Sequence, residues 1–192
     1  MPIDLLADRL LALPHASLST LRTALLRDVG PESVAVLQEA GYAGGEAVFT
    51  AFREWLQARG DSGAAGTAAE PEDLEVEAFQ HRVAEFFRET GWGTLRIGTL
   101  REAVATIDCE EWGESDASGN TLDQPGCHLS TGLFADFFGR IADQPLAVLE
   151  VECRSMGSPR CRFLLGNAEV MEHVYDELGR GAGYEEALEA VE

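Results

Sequence analysis

Apolar side chains recur every three or four positions through residues 3 to 90 and then alternate with polar ones in short runs, the pattern of helices followed by strands. Ile3, Leu6, Leu10 and Leu13 predict an amphipathic helix over 3–13 that ends at Pro14. A second helix is expected from about Leu18 to Arg27, with Ser17 or Ser19 as N-cap, and a third from Gly30-Pro31 to near Gly41. Gly41-Tyr-Ala-Gly-Gly45 predicts a turn, followed by a helix from about Glu46 to Arg59 with Val48, Phe52, Trp55 and Leu56 on one face. Small residues dominate Gly60 to Pro71, which reads as a linker because nothing in it can enter a core.

Beyond the linker, Val76, Phe79, Val83, Phe86 and Phe87 predict one apolar face of a helix over 73–90. Strands are expected at Thr94–Gly98 and at about Arg101–Cys109, where Ala103, Ala105, Ile107 and Cys109 share parity. The acids of Glu114 to Gly126 read as a solvated cluster on a surface loop, and Trp112 before them either caps the core or lines a pocket. A helix over Cys127–Arg140 carries Leu129, Leu133, Phe134, Phe137 and Phe138, with Gly132 permitting close approach to the sheet or a ligand. Pro145–Cys153 reads as a buried strand, Arg154–Arg160 as a turn and Cys161–Leu165 as the returning strand. Asn167 is placed to cap a helix with Val170, Met171, Val174 and Leu178 inward, and Tyr184–Glu192 is a short acidic helix or frayed tail.

Charge narrows the function. The 34 acidic side chains against 14 basic ones give a formal net charge of −20, which repels phosphate backbones, so no nucleic-acid partner is expected. Every base is arginine, which excludes a Walker A lysine, a Schiff-base lysine and a lysine general base. No apolar run approaches the roughly 18 residues of a membrane span, and the N-terminus has acids where a signal peptide has a basic region. A cytoplasmic protein with reduced thiols is the expectation.

Reduced thiols make the cysteine spacing informative. Cys127, Cys153 and Cys161, with a carboxylate from Glu150 or Glu152, supply three thiolates and one oxygen, a donor set suited to tetrahedral zinc with no position left for a catalytic water. Strand parity does not separate the two glutamates. Cys127 opens a helix, whose N-terminus would lower its pKa, and Cys109 reads as a buried small hydrophobe. His128 is expected at the surface, and no histidine spacing resembles a metal or catalytic motif. No nucleophile, base and orienter set and no Gly-x-Gly-x-x-Gly fingerprint is evident, so no catalytic residue is assigned.

Glu150-x-x-Cys153, Gly157 and Cys161-Arg-Phe163, with Cys127 upstream of Gly132 and Gly139, resemble the 4-vinyl reductase domain family. The resemblance implies an α/β (α+β) fold, an antiparallel sheet covered by helices as in TRAPP vesicle-tethering subunits. It also implies zinc held by Cys127, Glu150, Cys153 and Cys161. Members include sensor domains of aromatic-responsive bacterial activators and a protein of bacteriochlorophyll synthesis once thought to reduce a vinyl group. On this basis residues 1–59 are expected to form a helical, dimerising segment, 60–73 a linker and 74–192 a ligand-binding domain. The fold would gather Phe79, Val83, Trp112, Phe134 and Phe137 around a small apolar ligand. Because the chain carries no ATPase or DNA-binding motif, a sensor would signal through a partner protein. The competing readings are an enzyme or accessory factor for a vinyl-bearing tetrapyrrole and a TRAPP-like adaptor whose interior is filled by its own side chains.

Overall fold

The computed structural model describes residues 10–59, 70–101, 103–115 and 122–190. Its order is α1 (His15–Asp28), α2 (Glu32–Ala58), α3 (Val76–Glu89), β1 (Thr94–Arg101), β2 (Val104–Glu110), α4 (His128–Ile141), β3 (Ala147–Glu152), β4 (Cys161–Gly166), α5 (Ala168–Gly179) and α6 (Tyr184–Glu189). The four strands form one antiparallel sheet in the order β1-β2-β4-β3. This is the expected architecture, an antiparallel sheet covered by helices.

Alternation along β4 shows how the two faces are used. Phe163 and Leu165 join a large cluster with Phe52, Trp55 and Leu56 of α2, Val83, Phe86 and Phe87 of α3, and Leu133, Phe134 and Phe137 of α4. Leu164 points the other way, into a smaller cluster with Val104, the α5 residues Val170, Met171 and Val174, and Ala187 and Leu188 of α6. Burying one such side chain contributes roughly 1.5–3 kcal/mol, so the aromatic face dominates the hydrophobic stabilisation. Asn167 caps α5 as expected, its side chain accepting from the Val170 N–H at 2.8 Å.

Three expectations are corrected. Residues 41–45 are not a turn: α2 runs unbroken from Glu32 to Ala58 and packs along α4. A β-carbon on Gly41 would lie 1.9 Å from the Leu129 carbonyl oxygen, and one on Gly45 would lie 2.4 Å from Asp136 Oδ2. These glycines are therefore contact residues of a helix–helix crossing, and tertiary packing outweighs their low helix propensity. Gly132 answers them from α4, approaching α2 instead of the sheet or a ligand. Second, Leu10 to Pro14 are not helical, while residues 3–9 of the first expected helix and residues 60–69 of the linker lie outside the described residues. Third, Val76 is exposed and does not share the buried face of Val83, Phe86 and Phe87. The apolar face of α2, which motivated dimerisation through the N-terminal segment, is largely covered by α4 of the same chain.

Candidate metal centre

Three elements deliver the cysteines and the glutamate. Cys127 is the N-cap residue of α4, Glu150 lies in β3, Cys153 follows β3, and Cys161 opens β4. Between the last two, a short 3-10 turn at Arg154–Met156 closes at Gly157, whose φ of 91° is readily adopted only by glycine. All four side chains are buried, and their donor atoms lie within 4.8 Å of one another. Cys127 Sγ is 3.9 Å from Cys153 Sγ and 3.8 Å from Cys161 Sγ. These are not disulfide distances, which are near 2.05 Å. Zn–S bonds of about 2.3 Å directed to tetrahedral corners place sulfurs about 3.8 Å apart.

A break in the strand separates the two candidate glutamates. β3 shifts register between Glu150 and Glu152, so that Glu150 pairs with Phe163 and Glu152 with Arg162. Glu150 thus faces the thiols, whereas Glu152 meets Arg160 and Tyr184 on the opposite face of the sheet. Glu150 Oε2 accepts the Cys127 N–H at 2.7 Å, and its Oε1 is buried with no hydrogen-bond partner. A buried carboxylate oxygen without a partner is costly, and a cation beside the thiols would satisfy it. The cluster could hold a metal ion.

Electrostatics point the same way. Burial pushes the Glu150 carboxyl well up, and its contact with Cys153 adds to the effect. The Cys127 thiol is also pushed well up, by its contacts with Cys153 and Cys161 and then by burial, while Cys153 is pushed down because those two thiols donate to it. The expected lowering of Cys127 by the helix N-terminus is therefore outweighed by its neighbours. Without a cation the four groups cannot all ionise; with one, each can become a ligand. The Arg154 N–H, 3.4 Å from Cys161 Sγ, supports that sulfur. Cys109 is buried in register with Cys161 but is not among the clustered donors. His128 is half-buried, not at the surface, and burial lowers its pKa.

The five residues expected around a ligand lie together in the aromatic cluster. Val83, Trp112, Phe134 and Phe137 are almost fully buried, and Phe79 packs partly buried at its edge. Their rings touch one another: Phe134 lies 5.2 Å from Phe163, 5.4 Å from Trp112 and 5.8 Å from Phe87 between centroids. Trp112 belongs to the core, its Nε1–H donating to Ser130 Oγ at 2.7 Å. Two open clefts, of about 420 and 320 Å³, lie elsewhere, along the α2–α4 crossing and beside Tyr42.

Sequence reasoning missed Glu114. It is not a solvated loop acid but fully buried, and it accepts from the N–H groups of Leu129 and Ser130 at the start of α4. It also missed Arg22, 1% exposed, although its position four residues after Leu18 on an apolar stripe was a legible signal.

Comparison with known proteins agrees with this architecture. Residues 108–167, which span β2, α4, β3 and β4, match the family model of the 4-vinyl reductase domain, and the chain resembles that family. It is 26% identical over 83 residues to an uncharacterized protein of Methanocaldococcus jannaschii, covering 41% of each chain. Over 155 residues it is 29% identical to the bacteriochlorophyll synthase 23 kDa chain of Cereibacter sphaeroides, covering 80% of this chain and 70% of that one. The fold is similar to that of the phenol-responsive sensory domain of the transcription activator PoxR, solved with phenol, at a TM-score of 0.61, 18% identity, and 88% and 82% coverage of the two chains. It is also similar to that of a trafficking protein particle complex subunit 3 from Naegleria fowleri covalently bound to palmitic acid, at 0.53, 13%, and 79% and 91%. No helix among the described residues is long and apolar enough to cross a membrane.

Proposed function

We propose that this protein is a small-molecule-binding module of the sensor kind, which takes an apolar aromatic ligand into the cluster of Phe79, Val83, Trp112, Phe134 and Phe137. A structural zinc on Cys127, Glu150, Cys153 and Cys161 pins the hairpin beside it. The observation that carries the reading is the contiguous aromatic cluster against β4, adjoining three thiols and an unpartnered Glu150 oxygen. It is supported by the shared fold with a sensory domain solved with phenol. Uptake requires rings such as Phe134 and Phe137 to part, because they fill the space themselves. With three thiolates and one carboxylate, the zinc has no open position and serves stability.

Native mass spectrometry of the whole chain tests metal and ligand together. One zinc per chain is expected, and titration with phenol and alkylphenols should give saturable binding that Phe134→Trp abolishes while zinc content stays the same. Phenol binding unaffected by changes at both Phe134 and Phe79 would move the site away from this cluster.

A second reading is favoured by the sequence similarity to the bacteriochlorophyll synthase chain: an accessory factor or enzyme for a vinyl-bearing tetrapyrrole. Retention of protoporphyrin IX, and not of phenols, would select it. The dense packing and the TRAPP-like fold favour a third, a protein-binding adaptor, which predicts binding of neither probe. In the preferred reading the module is a homodimer joined through residues 1–59, where Leu21, Val36 and Tyr42 are exposed, and it passes its signal to a partner protein. Leu21→Glu with Val36→Glu should then yield a folded monomer in sedimentation.

A further inference from the structure

Among the described residues, Glu114 and Arg22 are the most completely buried charged side chains that neither the metal cluster nor the aromatic cluster uses. Glu114 Oε1 accepts from the Leu129 N–H at 3.0 Å, while Oε2 accepts from the Ser130 N–H at 2.7 Å and the Ser130 hydroxyl at 2.5 Å. Because Trp112 Nε1–H already donates to Ser130 Oγ, the Ser130 hydroxyl hydrogen is free to point at Glu114. Both carboxylate oxygens are therefore needed as acceptors. Glu150 takes the Cys127 N–H, so two buried carboxylates cap one helix end, and that end carries Cys127.

Arg22 ties the other half of the centre to the same point. Its Nη1 donates to Ser155 Oγ at 3.2 Å, within the turn that separates Cys153 from Cys161, and its charge favours the ionised Glu114 against the burial that pushes that carboxyl up. Its Nε is buried without a partner, so the guanidinium is held here by its setting and not by a full set of bonds. From α1 it reaches the turn that carries two of the sulfurs and acts on the carboxylate that fixes the third.

We propose that Glu114 and Arg22 are positioning residues of the metal centre: Glu114 sets the α4 end that presents Cys127, and Arg22 holds the Cys153–Cys161 turn against it. The proposal rests on the metal reading given above. Outer partners that orient metal ligands typically change affinity 10- to 100-fold when removed. In Glu114→Gln an amide NH2 must face either the Leu129 or the Ser130 N–H, so the helix end shifts while the side-chain volume is kept.

The test is competition of the full-length chain against a chromophoric chelator for zinc, with Co²⁺ spectra as the readout of ligand geometry. Glu114→Gln and Arg22→Met should each bind one zinc about ten-fold more weakly or worse, with shifted Co²⁺ ligand-field bands. Val174→Ala, which loosens the opposite cluster, should lower the melting temperature without moving affinity or spectrum. Wild-type affinity and spectra in both site variants would overturn the proposal, as would an equal loss in Val174→Ala, which would mark the effect as general destabilisation. A wild-type chain that binds neither zinc nor Co²⁺ would instead sink the metal reading itself, and this proposal with it. If Glu114→Gln fails to fold, Arg22→Met alone decides.

Discussion

Gly132 and Gln38 meet backbone to backbone: a β-carbon on Gly132 would lie 1.9 Å from the Gln38 carbonyl oxygen. That contact, with Gly41 against Leu129, sets how closely α2 lies along α4 and hence where Cys127 and the aromatic residues of α4 stand relative to the sheet. Gly132→Ala should destabilise by about 2 kcal/mol or more, since the obstacle is backbone. Gly44→Ala, one position before Gly45 but with open space around it, should instead stabilise by about 0.5–1 kcal/mol. Urea unfolding of the two variants checks the contrast; similar losses in both would mean that helix propensity, not the crossing, governs these glycines.

Loss of a metal ligand should separate the cysteines by role. Cys153→Ser and Glu150→Gln should reduce zinc content or affinity sharply, whereas Cys109→Ala should retain a full equivalent, because Cys109 is buried outside the donor cluster. Removing zinc with a chelator should lower the melting temperature, as expected of a four-ligand structural site. Elemental analysis and thermal melts on the same samples measure both effects, and an unchanged melt after verified removal would contradict the structural role.

Arg162 and Asp108 hold the far face of the sheet together through two hydrogen bonds of 2.6 and 2.7 Å, and Tyr184 of α6 donates to Glu152 at 2.7 Å. Tyr184→Phe should cost about 1 kcal/mol. Arg162→Met should cost about 1.5–3 kcal/mol, because it leaves Asp108 without its paired donors in a partly buried site. Denaturant titration measures both, and hydrogen exchange in α6 should rise in each variant.

Glu89 supplies a pH signature. Its carboxyl is held below the usual range by the hydrogen bond from Trp55 Nε1–H. A depressed folded pKa means that this contribution is present above the unfolded value, near 4.5, and is lost as pH falls through the lower folded value. Glu89→Gln should therefore be less stable than the wild type at pH 7 and equal to it near pH 3. A difference that stays constant with pH would show that the carboxylate charge is not involved.

Much of this protein was legible locally. The period of the apolar residues announced α3, α4 and α5, the alternation announced the strands, and the spacing of Cys127, Cys153 and Cys161 announced a thiol cluster, because each depends on neighbours a few residues away or on donor chemistry alone. Residue spacing left Glu150 and Glu152 equivalent; the family pattern favoured Glu150, and the register shift in β3 is what turns the two to opposite faces. Gly41 and Gly45 read as a turn because glycine weakens an isolated helix, yet they are helical because a second helix, some ninety residues on, leaves no room for a side chain. Glu114 read as one more acid in a solvated loop. Only the arrival of the α4 N-terminus, with two N–H groups in need of acceptors, made it a buried carboxylate. What tertiary structure decided was where chain segments distant in sequence come close enough to exclude water, since there an unpaired donor or an extra methyl group becomes costly.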